Sequence, residues 1–174
     1  MFSRMISKGL KNITIDSKRS HIFLKDTNFS LVIMRPYDLV QLSDLVGSGS
    51  EDILVWTGKI IGKSLCNNIQ QKENIKTRKK LFELLLNNLT NLGYGLFSMI
   101  YVEGKKVEIQ VENSLIKEIT NEEEALLLRN LYNGIFLGAF SAAGTNVEEK
   151  QVNIPRNDDK LKFEYQFLEE DSQE

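Results

Sequence analysis

Two hydrophobic periods run through this chain, and the longer one marks its centre. From Leu126 to Gly144 (LLLRNLYNGIFLGAFSAAG) apolar residues recur with the 3.6-residue period of a helix and cover most of its circumference. Leu127, Leu131, Ile135 and Ala139 form an aliphatic stripe, with Tyr132, Phe136 and Phe140 as an aromatic stripe beside it. Gly134, Gly138 and Ala142 form a small-residue groove, and Arg129, Asn130, Asn133 and Ser141 leave a narrow polar edge. A helix with this distribution is buried on several sides at once. Each glycine in its interior costs roughly 1 kcal/mol against alanine, so the pattern predicts a partner packed tightly against that face. Thr120-Asn121-Glu122-Glu123 reads as a capping box, with Thr120 as N-cap and Glu123 at the third helical position.

The same reasoning orders the rest of the chain. His21–Leu24 and Phe29–Met34 flank a turn at Lys25-Asp26-Thr27-Asn28 and predict a hairpin. Pro36 opens a short helix, Tyr37–Val46, which Gly47-Ser48-Gly49-Ser50 ends. Ser50 is a natural N-cap for a second helix over Ile53–Asn67, where Gly58 and Gly62 share one face. Residues 67–77 read as a loop. A third helix follows over Arg78–Leu92, amphipathic through Leu81, Leu85, Leu89 and Leu92, with Gly93 as its stop. The period then changes to two. Leu96–Glu103 and Lys106–Glu112 predict an antiparallel hairpin with Val107, Ile109 and Val111 inward. After the long helix, Val147–Ile154, a turn at Pro155–Asp159 and Leu161–Phe167 predict a last hairpin. The architecture is α+β: an antiparallel sheet packed against a helical layer with one long central helix.

Composition adds boundaries. The 174 residues allow one domain with a substantial core, here residues 21–167. Residues 1–20 carry five Lys or Arg against one Asp and read as a loose basic arm; residues 168–174 read as an acidic, disordered tail. A net charge of −2 gives no drive toward direct nucleic-acid binding. No run is suited to a transmembrane segment, and the single cysteine fits a reducing, cytoplasmic setting. One cysteine and one histidine cannot build a thiolate or imidazole zinc site, so no metal is expected. The chain carries no phosphate loop and no dinucleotide fingerprint, so neither a cofactor nor catalysis is expected. Cys66 on the second helix reads as a buried structural thiol. The soft and aromatic residues Trp56, Phe97, Met99, Tyr101, Phe136 and Phe140 lie on elements that should converge. They can either close the core or line an apolar ligand cavity between the long helix, the second helix and the strand Leu96–Glu103.

Leu131–Phe140, then Val147-Glu148-Glu149, then Leu161-Lys162-Phe163-Glu164 resemble the four-vinyl-reductase-type domain and the related core subunits of the TRAPP tethering complex. Val111–Leu115 is similar to a short strand end found in both, and Gly58 and Gly62 match the second helix of that superfamily. His21–Leu24, Phe29–Met34 and the helix after Pro36 resemble the start of the sensory region of aromatic-responsive regulators. The resemblance implies a domain that binds a small hydrophobic molecule and pairs with a second copy of itself. It implies as alternatives a scaffold that acts through contacts with another protein, or a vinyl reductase. Gly58, Gly62, Gly134 and Gly138 are then the positions of close helix packing.

Overall fold

The structure, a computed structural model, describes residues 49–72, 75–103, 105–119, 121–150 and 160–168, the strands 13–16, 21–24 and 30–31, and isolated positions between those strands and residue 49. The elements in chain order are β1 (Ile13–Asp16), β2 (His21–Leu24), β3 (Ser30–Leu31), α1 (Ser50–Lys72), α2 (Arg78–Asn91), β4 (Leu96–Val102), β5 (Lys106–Glu112), a 3-10 turn (Leu115–Glu118), α3 (Glu122–Ala142), β6 (Val147–Lys150) and β7 (Lys160–Phe167). The fold class is α+β with antiparallel sheets.

Four strands form the main sheet in the order β4-β5-β7-β6. The expected hairpin β4–β5 is present, with Leu96 opposite Glu112 and Val102 opposite Lys106. β6 and β7 pair with Val147 opposite Phe167. The sheet closes through a long-range pairing of β5 with β7, in which Ile109 faces Phe163. Val107, Ile109, Val111, Leu161, Phe163 and Tyr165 are buried on its inner face. Its outer face is wet and carries Lys106–Glu164 at 3.3 Å and Lys160–Glu112 at 2.7 Å. Such exposed pairs contribute little stability.

α3 lies between the sheet and α1. Its glycines and its rings are two residues apart, about 200° around the axis, so they face opposite ways. On the sheet side Phe136 meets Phe163 at 5.0 Å between ring centres and Phe140 meets Tyr165 at 4.9 Å. Phe82 of α2 closes the flank, 4.7 Å from Phe140. On the other side the two helix backbones touch. A Cβ on Gly58 would lie 2.7 Å from the Ile135 nitrogen, and one on Gly62 2.8 Å from the Ile135 carbonyl carbon. A Cβ on Gly138 would lie 2.7 Å from both the carbonyl carbon and the Cα of Lys59. All four glycines expected at a close helix contact therefore sit in one.

Both later helices end alike. Gly93 N donates to the Thr90 carbonyl and Tyr94 N to Leu89, with Gly93 at φ +88°. Gly144 N donates to Ser141 and Thr145 N to Phe140, with Gly144 at φ +62°. These paired bonds satisfy the last carbonyls and need a left-handed residue, which glycine supplies.

Several local expectations are corrected. The N-cap of α3 is Asn121, whose Oδ1 accepts from Glu123 N at 2.9 Å, so the helix starts at Glu122 and not one residue earlier. A side-chain acceptor two residues before the first free amide competes directly with a threonine three before it. α1 begins at Ser50 and runs to Lys72, absorbing the first part of the expected loop. Ile69 is buried on that extension, and its packing continues the helix past a polar stretch. Within the expected basic arm, Ile13–Asp16 is a strand paired with β2. The first hairpin is present as β2 against β3. Asp38, Leu39 and Gln41 are helical; the remainder of the expected Tyr37–Val46 helix, the Pro155–Asp159 turn and residues 169–174 lie outside the described residues.

Candidate functional site

The six residues expected to wall one cavity are not brought together. Phe97 lies 6.2 Å edge-on to Phe136 and 6.4 Å from Tyr132, so its ring packs into the α3–sheet core. Phe136 is itself 1% exposed among Phe97, Phe163 and Tyr165. Met99 and Tyr101 are half-buried on β4, with Tyr101 5.6 Å from Phe167 and 6.3 Å from Phe82. Rings occupy the space where a cavity was anticipated. Trp56 is elsewhere, on the outer face of α1 and 65% exposed.

Trp56 and Phe140 both border a groove of about 400 Å³ beside the α1–α3 contact, Phe140 with its ring still packed against Tyr165 and Phe82. α1 contributes Trp56, Lys59, Ile60 and Lys63; the last two turns of α3 contribute Leu137, Gly138, Phe140 and Ser141; Thr145, Asn146 and Val147 complete it. Three local features build this site. Lys59 follows Gly58 and Lys63 follows Gly62, so each lysine sits beside a backbone contact and borders the seam. The left-handed Gly144 turns the chain so that 145–147 come back against the α3 terminus. Pairing of Val147 with Phe167, continued by Leu168 N to the Asn146 carbonyl at 3.0 Å, holds that segment to the sheet. The repeated Gly-Lys of Thr57-Gly58-Lys59-Ile60-Ile61-Gly62-Lys63 is the sequence signal that could have pointed to this edge.

A second polar cluster lies within the fold. Glu149 of β6 accepts from Arg129 Nη2 at 2.5 Å and from Asn133 Nδ2 at 2.6 Å. Asn133 Oδ1 accepts from the Tyr165 hydroxyl at 2.8 Å, and the Arg129 guanidinium lies 5.4 Å from the Phe163 ring centre. Burial holds the Tyr165 hydroxyl well above the usual phenol range, followed by the nearby Glu149 charge, so it remains a donor. The narrow polar edge of α3 is thus partly turned inward, and Glu149 is the strand residue that receives it. Arg129 Nε is buried without a partner among the described residues. Tyr132 plays a comparable part at the other end: its hydroxyl donates to the Tyr94 carbonyl and accepts from Leu115 N at 3.0 Å.

Cys66 is fully buried on α1, and burial pushes its thiol up to about 12. A thiolate is the reactive form. We therefore expect disulfide-exchange reagents at pH 8 to label the folded protein slowly and the urea-unfolded protein promptly. The unfolded thiol ionises first, so this group's contribution to stability is present below about 8.5 and lost as pH rises toward the folded value. Prompt native labelling would place Cys66 at the surface.

No family model matches the chain, and no curated protein matches it. Solved structures do. The phenol-responsive sensory domain of the transcription activator PoxR, with phenol, superposes with a TM-score of 0.67 at 11% identity, covering 96% of this chain and 90% of that one. The Fe(II) unliganded H-NOX protein from K. algicida gives 0.55 at 11% identity, covering 96% and 88%. An H-NOX protein from S. oneidensis gives 0.53 at 8%, covering 97% and 88%. The fold is one shared with the PoxR sensory domain and with H-NOX proteins. These matches overturn the expected assignment to the four-vinyl-reductase and TRAPP-core group. The motifs behind that assignment, a glycine-bearing helix followed by two strands, are what any tightly packed helix on a sheet requires.

The H-NOX matches raise the question of iron, and the donor set here does not fit it. The one histidine, His21, is exposed on β2 with its ring 5.4 Å from Phe23. The Cys66 thiol is held protonated, and no group of three or more His, Cys, Asp or Glu side chains gathers among the described residues. No described helix is long and apolar enough to cross a membrane.

Proposed function

We propose that this is a non-catalytic, sensor-type domain that binds a small hydrophobic molecule in the Trp56–Val147 groove, pairs with a second copy of itself and acts in the cytoplasm. One observation carries the reading: a concavity of about 400 Å³ with Trp56, Ile60, Leu137 and Val147 on its walls, within the size range of small-molecule sites. It has room for about two benzene-sized groups at ~150 Å³ each. The PoxR domain, named for its response to phenol, lends the same fold to a small aromatic molecule.

Pairing is proposed through α1. Ile53, Trp56 and Ile60 are 39%, 65% and 48% exposed and share one stripe of that helix. A ligand in the groove would alter the same stripe, which gives binding a route to the paired state. Light scattering should show a dimer at micromolar concentration, with roughly 1,000 Å² or more buried in total. A monomer would remove pairing from the proposal.

Trp56 is the chain's only tryptophan, so its emission reports on one place, the groove and the pairing stripe beside it. Toluene or 1-octanol should shift that emission to shorter wavelength saturably and raise the melting temperature. At 100 times Kd the linkage amounts to about 2.7 kcal/mol. If no neutral apolar compound moves either signal and no anionic one does, the ligand-binding reading falls.

A further inference from the structure

We infer that the groove selects an amphipathic anion: an apolar body bearing one carboxylate or similar head group, held between Lys59 and Lys63. This rests on the ligand-binding reading above and names the ligand's class. Trp56, Lys59, Ile60 and Lys63 lie at spacings of three and four along α1, so both lysines line the same concavity as the tryptophan and isoleucine. Like charges one turn apart repel, and neither lysine has an acidic partner among the described residues. Among the described residues no acidic side chain lines the groove; from the facing elements it receives only the neutral polar groups of Ser141, Thr145 and Asn146. The stems of the lysines extend an apolar wall while their heads stay at the wet rim. A neutral hydrophobic guest leaves that pair of charges uncompensated, whereas an anion at the rim relieves their repulsion and keeps its tail on Trp56 and Leu137. The volume of about 400 Å³ suits a small molecule rather than a peptide chain or a nucleic acid.

Octanoate and 1-octanol share a chain and differ in the head group. Octanoate should half-saturate the Trp56 shift at a concentration at least about fivefold lower than octanol, the scale of one partly exposed charge contact. That advantage should shrink on adding 0.5 M salt, since exposed charge interactions are screened. In the Lys59→Gln/Lys63→Gln double variant the two half-saturating concentrations should become equal, whatever the shorter stems do to both. Octanol binding as tightly as octanoate, or a double variant that keeps the preference, would overturn the inference and leave the neutral-ligand reading standing. Failure of both compounds to move Trp56 emission or the melting temperature would overturn inference and reading together.

Discussion

Gly138→Ala is expected to lower stability by about 2–3 kcal/mol, although glycine to alanine in a helix interior ordinarily raises it by about 1 kcal/mol. The reversal follows from contact between backbones. The added methyl would lie 2.7 Å from the Lys59 carbonyl carbon and Cα, and a main chain cannot turn aside as a side chain can. α1 must move off α3, which opens the seam along Gly58, Gly62 and Gly134 as well. Gly138→Leu should cost more and distort the groove, which Gly138 also lines. For a chain of this size, 2–3 kcal/mol corresponds to a fall of about 5–10 °C in melting temperature. Thermal melts of both variants provide the check. An alanine variant that melts at or above the wild-type temperature would mean that α1 and α3 do not meet at this point.

Glu149→Ala is expected to have the other large effect, a loss of about 2–4 kcal/mol in urea denaturation. Glu149 holds Arg129 and Asn133 together, and Asn133 in turn receives the Tyr165 hydroxyl. Removing one member of a largely buried ion pair leaves the other charge unpartnered, commonly a loss of 3–5 kcal/mol. The figure is lowered here because the Glu149 side chain is 25% exposed and water can reach it. Arg129, at 12%, already has its Nε without a partner and has little scope to find another. Glu149→Gln keeps the hydrogen-bonding shape and should lose about half as much. The pair Arg129→Met/Glu149→Leu should recover part of the deficit, since well-packed apolar residues can replace a buried ion pair. An alanine variant within 0.5 kcal/mol of wild type, the usual range for surface changes, would show the network to be a surface decoration.

Local pattern alone determined much of this protein. The period of 3.6 over Leu126–Gly144, the period of two over Phe97–Tyr101 and Val107–Val111, and the stops at Gly93 and Gly144 are properties of short segments. Their physical causes act within a few residues, so the α+β class and the order of elements from residue 50 onward are legible in the chain. The glycine pairs on two helices likewise announced a close contact, because nothing else compensates for glycine in a helix interior.

Tertiary structure decided the rest. Pairing of β5 with β7 joins residues more than forty positions apart, and no turn between them records it. The six aromatic and soft residues could be placed on faces, but whether Phe136 meets a ligand or Phe163 depends on how far the sheet lies from α3. The structure puts those rings 5.0 Å apart and leaves the space filled. The groove arises beside the α1–α3 contact, where the Gly144 turn returns the chain. Lys59, Lys63, Thr145 and Asn146 are brought together by that crossing alone, and each by itself reads as an ordinary polar residue. A helix face is set by local spacing, whereas a concavity is set by the distance and angle between elements, and those are fixed only once the whole core has packed.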